Sequence, residues 1–298
     1  MRVTNSMITR GLLANLNKHL SRMEELHFQM SSGKRIRVPS DDPAATSIGM
    51  RLHTSLNQVR QRRANLDAGL SWLEATDAAL GEATEVLHRA KELAVYGASD
   101  TLPQDARDAL AQEVEQLIQH IVDIANTRHG GLYIFSGHKT LTPPYTLDPT
   151  EPVPTAPLQY AGDDGLRLYE FDDGVTVPVN VPGNTVFDPV LEALVDLHAA
   201  LKQGDGPALS GTVMNKLEAA LDGLLRARAD VGARSNRLEL ARARLDDLEL
   251  NLEKLVSHTE DVDLARVIID LKVAENSYRA ALASGARIIQ PSLLDFLR

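Results

Sequence analysis

Apolar residues recur at alternating spacings of three and four through much of this 298-residue chain, a period that predicts long amphipathic helices. The first stripe lies within residues 7–30 and stops at Ser31-Ser32-Gly33, where small residues signal a helix end. A second stripe runs from Leu52 to Ala94, and nine of its 13 positions are apolar. This pattern indicates a long coiled-coil-like helix with four polar interruptions, followed by a loop at residues 97–103 and a third helix.

The last third of the chain repeats this layout in reverse order. One apolar register holds from Ala220 to Leu255, slips at Ser257–Asp263, and gives way to a new register at residues 264–288. At a rise of 1.5 Å per residue, the two outer helices are about 36 and 42 Å long, and the two inner helices about 78 and 70 Å. We therefore predict a mainly α fold, a long antiparallel helical bundle or coiled coil formed by the N- and C-terminal segments.

The middle of the chain has a different pattern. "GGLYIFSG" at residues 130–137 is a β-type run, and a proline-rich stretch follows at residues 142–157. Three short strand candidates come next, bounded by turns at residues 162–165, 172–174 and 182–184. Asp188-Pro189 then predicts the start of a short helix. We expect a small β-containing domain inserted at the tip of the bundle.

These patterns divide the chain into five segments. They are an N-terminal assembly helix and joint (1–40), long core helices ending in a β-type hairpin (41–137), a small β-rich outer domain (138–208), a return helix (209–257) and a C-terminal assembly helix (258–298).

The stretch from Ser31 to Leu52 begins with a Gly-Lys pair but does not fit a phosphate-binding loop. Position 28 is Phe where such a loop has its first glycine, and Arg35 replaces the required Ser or Thr. A nucleic-acid arm is disfavoured because the basic run lacks aromatic residues for stacking. We interpret the stretch as a joint between helices. Its residues are Gly33, Lys34, Arg35, Asp41, Asp42 and Pro43.

Composition excludes several classes of function. The chain has no cysteine, so disulfides, thiol catalysis and Cys-ligated metals are excluded. The net charge is −10, although residues 1–65 carry +7, and this balance argues against general nucleic-acid binding. No signal peptide or run of about 18 apolar residues is visible, so we expect no membrane span. The nine histidines lack ligand spacing, and no nucleophile motif occurs, so we expect no catalytic, metal or cofactor site.

The terminal helices have apolar faces too wide for a single helix pair to cover. Five of the six methionines lie in the first 50 residues, and "IIQPSLLDFL" near the C-terminus is rich in apolar residues. Flexible apolar surface at both ends predicts self-association, although an ordinary four-helix core with frayed ends is an alternative. The predicted assembly interface comprises Leu12, Leu16, Met23, Leu26, Met30, Leu264, Val267, Leu271, Tyr278, Leu282, Ile288, Leu293, Leu294 and Phe296.

Both ends of the chain resemble the flagellin superfamily. "MSSGKRI" at residues 30–36 with Asp41-Asp42-Pro43-Ala44 is similar to the N-terminal signature, and "EDVDLARVIIDLKVAENSYRAALASGARIIQPSLLDFL" to the C-terminal helix. Within the superfamily, the resemblance is closer to the hook–filament junction branch than to the filament subunit. The segments that favour this branch are "MRVTNSM", "RVPSDDP", "LSWLEATDAALGEA", "GGLYIFSG", "VPVNVPGNTVFD" and "SLLDFLR".

The resemblance implies a non-enzymatic structural subunit of the bacterial flagellum, exported without a cleaved signal peptide. Its implied partners are further copies of itself in a ring, hook-associated protein 1, flagellin and a cytoplasmic flagellar export chaperone, with no nucleic acid or membrane. Flagellin itself, the bulk filament subunit, is the main alternative. A cytosolic coiled-coil adaptor is an alternative from another class.

Overall fold

A computed structural model describes residues 5–99, 101–147, 153, 158–172 and 174–289. Helices dominate this part of the chain. They are α1 (Asn5–Ser32), α2 (Pro43–Gly97), α3 (Gln104–Ala125), α4 (Gly183–Gln203), the short α5 (Gly206–Ala208), α6 (Met214–Glu260) and α7 (Leu264–Ile289), with a π-helical turn at Leu209–Val213 before α6.

Two small antiparallel sheets lie between α3 and α4 in the chain. β1 (Arg128–His129) pairs with β2 (Leu132–Tyr133), and β3 (Leu168–Asp172) pairs with β4 (Val175–Pro178). The predicted fold class is therefore confirmed as mainly α, with long terminal helices and small β elements between them.

Contacts divide the chain into two compact units. We call residues 1–58 and 248–298 the terminal unit and residues 59–247 the central unit. The five-segment division made from the sequence stays a prediction. Within the described residues, no helix combines the length and the apolar character that a membrane span requires.

The core of the central unit follows a heptad along α2. Leu66, Leu73, Leu80 and Leu87 are spaced seven residues apart, and each is at most 2% exposed. This spacing keeps one side of a helix facing its neighbour over several turns. A Cβ added at Gly69 would lie 3.5 Å from Leu238 of α6, so α2 and α6 approach closely. The long inner helices predicted from the sequence are thus partners in the central unit.

The four polar interruptions of the α2 stripe all have a bonding partner. Arg63 pairs with Asp246 at 3.5 Å, Asp77 with Arg228 at 3.1 Å, and Lys91 with Glu218 at 2.7 Å. The fourth, Thr84, is buried and donates its hydroxyl proton to the Leu80 carbonyl at 2.7 Å. Because the three ion pairs join α2 to α6 in antiparallel order, they favour one register of the pair.

An aromatic cluster forms the second part of the central core. Phe135 packs edge-on against Phe187 with ring centroids 4.8 Å apart, and both side chains are fully buried. Tyr145 lies beside them and donates its hydroxyl proton to Asp188 Oδ1 at 2.5 Å. The side chain of Asn126 bonds both the carbonyl and the N–H of Tyr145. These bonds attach the start of the proline-rich stretch to the ends of α3 and α4.

Two local predictions were wrong. Helix α4 begins at Gly183 rather than at Asp188, so Pro189 lies inside it, and burial of Val186 and Phe187 stabilises the additional turn. The segment just before Gly162 is not a strand. Its Ala161 N–H bonds the Pro144 carbonyl, and Tyr160 donates to the Phe135 carbonyl, so tertiary contacts replace a strand partner there.

Candidate assembly surface and joint

Helices α1 and α7 pair antiparallel within the terminal unit. Leu26, Val267 and Leu271 are each at most 4% exposed and form a small core, against which Val262 and Ala274 pack. Further along, a Cβ added at Gly285 would lie 2.5 Å from Leu12 Cδ2. Leu26 lies near Leu271 and Leu12 lies near Gly285. Both contacts fit one antiparallel register of α1 and α7. The predicted seam therefore joins the two ends of the chain to each other.

The structure distributes the predicted assembly residues over three environments. Leu26, Val267 and Leu271 are buried in the seam. Leu12, Leu16, Met23 and Tyr278 are half-buried, while Met30, Leu264 and Leu282 are 39–48% exposed. The side chain of Ile288, and Leu293, Leu294 and Phe296, lie outside the described residues. The intramolecular pair therefore leaves part of the predicted surface uncovered.

Other exposed apolar side chains extend this surface. Leu13 and Leu20 are 55% and 45% exposed, lie three residues before and four residues after Leu16, and widen the α1 stripe. Ile269 and Val273 are 62% and 59% exposed and, at 100° per residue, lie on the side of α7 opposite Leu271. Ile269 therefore does not extend the Val267 and Leu271 seam. Helix α7 instead has two apolar sides, and such uncovered faces are typical of interaction surfaces.

A pair of glycine substitutions tests the seam. Alanine is favoured over glycine in a helix by about 0.5–1 kcal/mol. At Gly11, where no atom lies within 4 Å of the added Cβ, we expect this full gain. At Gly285 the new Cβ displaces Leu12, which should cancel the gain. Amide exchange should therefore slow in α1 of Gly11→Ala and not in Gly285→Ala. Equal slowing in both variants would contradict the close approach of Leu12 and Gly285.

The joint between α1 and α2 is bonded to the joint between α6 and α7. Arg35 N–H donates to the Glu260 carbonyl at 2.6 Å, and Val262 N–H donates to the Gly33 carbonyl at 3.1 Å. Lys34 lies opposite Asp261 in a short antiparallel bridge, with its Nζ 2.7 Å from Asp261 Oδ1. The two breaks predicted at corresponding places in each half of the chain therefore lie side by side.

Each remaining joint residue has a local structural role. Gly33 adopts a φ of 70°, which ends α1 in a conformation that favours glycine. Asp41 Oδ2 accepts from the N–H groups of Arg37 and Val38, and these bonds lower the pKa of Asp41. Asp42 caps α2 by accepting from Ala45 N–H at 2.9 Å, and Pro43 is the first residue of that helix.

Sequence reasoning missed four residues of the joint. Glu260 Oε2 lies 3.3 Å from Lys34 Nζ, and its Oε1 lies 2.8 Å from His53 Nε2. Gly49 is buried beneath this carboxylate, because an added Cβ would lie 2.7 Å from Glu260 Oε1. Asp261 completes the group. The acidic pair at 260–261 and the basic pair at 34–35 offered a signal, since oppositely charged pairs at corresponding breaks favour contact.

The Lys34–Asp261 pair predicts how the joint responds to pH. The bond from Lys34 lowers the pKa of Asp261, with a smaller contribution from Ser257, and the bond to Asp261 raises the pKa of Lys34. The Asp261 contribution to stability is thus present above the ordinary carboxyl pKa of about 3.9 and is lost as pH falls through the lowered value. The Lys34 contribution is present below about pH 10.4 and is lost as pH rises through the raised value.

Carbon NMR of the Asp261 carboxyl measures this effect. Its midpoint should lie below that of an ordinary aspartate and should rise in Lys34→Met. A midpoint that does not change in Lys34→Met would mean that the ion pair does not form in solution.

Among the residues that the structure describes, no three His, Asp or Glu side chains are grouped to hold a metal ion. The described residues form a pair of helices, α1 and α7, with exposed apolar sides. A charged joint lies at the C-terminal end of α1 and the N-terminal end of α7.

Two family profiles match most of the chain. The bacterial flagellin N-terminal helical region matches residues 3–140, and the bacterial flagellin C-terminal helical region matches residues 214–297. The chain belongs to the flagellin superfamily. These regions contain α1 to α3 together with β1 and β2, and α6 and α7, so the superfamily match covers both joints and the two antiparallel pairs.

Individual superfamily members match over nearly the full length of the chain. Flagellar hook-associated protein 3 of Escherichia coli K12 is 27% identical over 94% of this chain and 96% of its own. The flagellar filament 33 kDa core protein of Treponema phagedenis is 25% identical over 99% of this chain and 98% of its own. The flagellin of Halalkalibacterium halodurans is 28% identical over 88% of this chain and 84% of its own.

Solved structures share the superfamily fold. Bacillus cereus FlgL matches with a TM-score of 0.60 at 24% identity, over 70% of this chain and 99% of that one. A flagellar hook-associated protein from Vibrio parahaemolyticus matches with a TM-score of 0.63 at 20% identity, over 74% of this chain and 100% of that one.

Proposed function

We propose that this chain is a structural subunit of the bacterial flagellum that forms the junction between hook and filament. The observation that carries the structural role is the uncovered apolar surface of α1 and α7, which Leu13, Leu20, Leu264, Ile269 and Leu282 expose. Apolar stripes of this width are stabilised when neighbouring subunits remove them from water.

The junction role is supported by the match to hook-associated protein 3 of E. coli, at 27% identity over 94% of this chain. Similar identity to filament proteins keeps the bulk filament subunit as the second candidate. In either role, the α1–α7 pair packs against copies of the same pair in the inner layer of a tubular assembly. The acidic residues 138–208 then belong to the outer surface.

The junction role implies specific neighbours. We propose hook-associated protein 1 on the hook side, flagellin on the filament side, and a cytoplasmic chaperone that holds the C-terminal helix before export through the flagellar apparatus. The chain acts outside the cell, within the flagellum, and needs no cofactor for this role.

Deletion of the gene tests the proposal. Cells that lack a junction subunit should keep intact hooks and secrete flagellin that does not attach. Cells that lack the bulk filament subunit should instead lose the main filament protein from the medium and the cell surface. Polymerisation of the purified chain alone into long filaments would also support the second candidate and contradict the first.

A further inference from the structure

Glu260 at the end of α6 contacts two separate parts of the terminal unit, the joint after α1 and the first turns of α2. Its carboxylate lies 3.3 Å from Lys34 Nζ and 2.8 Å from His53 Nε2 of α2, and it fills the space above Gly49. Its backbone carbonyl also accepts from Arg35 N–H. The side chain is only 20% exposed, so these contacts are partly shielded from water. We propose that the contacts of Glu260 with Lys34, Arg35, His53 and Gly49 make the two joints open and close together. We call this set of contacts the latch.

The joint has the features of a segment that opens locally. It is held by two backbone hydrogen bonds and by ion pairs whose cations, Lys34 and Arg35, are 42% and 49% exposed at the side chain. Residues 37–41 of the N-terminal joint are all exposed. Segments with few buried apolar contacts and solvent-accessible hydrogen bonds open at low free-energy cost. The joint therefore opens more readily than the α1–α7 seam, in which Leu26, Val267 and Leu271 are buried.

Opening of either joint requires opening of the other. The Arg35–Glu260 and Val262–Gly33 hydrogen bonds each have one partner in each joint. Arg35 also donates from its guanidinium to the Thr259 carbonyl at 3.1 Å, which caps the last turn of α6. If one joint leaves this arrangement, the hydrogen-bonding groups of the other joint therefore lose their partners. The latch couples positions that are more than 220 residues apart in the chain.

The latch is also connected to the α1–α7 seam. Val262 donates its N–H to the Gly33 carbonyl, and its side chain packs against Leu26, Val267 and Leu271. Opening of the joints removes Val262 from this cluster, while Leu26, Val267 and Leu271 keep contact with one another. The base of α1 and the base of α7 are thus released together without unpairing of the two helices.

Substitution of the carboxylate tests the coupling in the isolated full chain. Glu260→Gln keeps the size of the side chain and removes its charge. Gly49→Ala keeps every charge but displaces the carboxylate. The matched control is Glu275→Gln, because Glu275 is 23% exposed and pairs with Lys272 three residues earlier on its own helix. Amide hydrogen exchange at Arg35 and Val262 reports the two hydrogen bonds of the latch directly.

Both latch variants should accelerate exchange at Arg35 and Val262 by the same factor, about fivefold, which corresponds to roughly 1 kcal/mol for partly exposed charged contacts. Glu275→Gln should leave both rates unchanged. High salt should accelerate both rates in the wild-type chain and have less effect in Glu260→Gln, since the latch is partly ionic. Acceleration at only one amide, or at neither, would overturn the proposal. Neither result bears on the junction role, because the measurement involves no assembly.

Discussion

Aspartate at both Leu264 and Leu282 should abolish incorporation of the subunit while the isolated chain stays folded. The two side chains are 48% and 44% exposed, so carboxylates at these positions remain in water in the monomer. In the proposed assembly they become buried without partners, at roughly 2 kcal/mol or more each. We therefore expect incorporation to fall by roughly 1,000-fold or more. Complementation of a deletion strain, with counts of attached filaments, measures the effect.

The matched control for this variant is Leu240→Asp. Leu240 is 75% exposed and belongs to the part of α6 in the central unit, not to the terminal helices. The Leu240→Asp variant should leave filament attachment unchanged, which would show that an added charge alone does not prevent incorporation. Normal attachment with the Leu264/Leu282 variant would contradict the proposed interface. Unfolding of that variant in isolation would show instead that the two leucines stabilise the monomer.

Phe135→Ala should destabilise the central unit by about 3–5 kcal/mol. The ring is fully buried and packs edge-on against Phe187, so its removal leaves a cavity and an unpaired aromatic face. The backbone carbonyl of Phe135 still accepts from Gly183 N–H and the Tyr160 hydroxyl, so local bonding persists in the variant. The expected loss of stability therefore comes from the lost packing of the ring.

Urea unfolding monitored by tryptophan fluorescence measures this loss. Trp72 is the single tryptophan of the chain, and it is 3% exposed in the central unit, so its emission reports that unit. Leu141→Ala is the control, because Leu141 is 81% exposed and its change should stay within about 0.5 kcal/mol. An unchanged urea midpoint in Phe135→Ala would mean that the aromatic cluster is not part of the stable core.

The helical elements were predictable because helix periodicity is a local property. The alternation of three and four placed the outer and inner helices close to their observed bounds, from Asn5–Ser32 through Leu264–Ile289. The helix cap that the structure shows at Asp42 is equally local, since Asp42 accepts from an amide three residues later. The start of α4 was not predictable in this way. Burial of Phe187 in the aromatic cluster outweighed the start signal of Asp188-Pro189.

The candidate site was predictable only in part. The apolar stripes indicated which residues of α1 and α7 avoid water, but several different neighbours could have covered each stripe. The structure shows that Leu26, Val267 and Leu271 cover one another, whereas Leu264 and Leu282 have no such cover within the described chain. His53 and Gly49 gave no signal of their own, because their role depends on a carboxylate more than 200 residues away.

By itself, the sequence determined the helices, their apolar sides and the breaks between them, since these depend on residues within a few turns of one another. Tertiary structure alone decided which apolar sides meet inside the molecule, and it brought the charged pairs of two distant breaks into one joint. The physical reason is that hydrophobic contact is non-directional, so a stripe specifies that it must be covered and not what covers it.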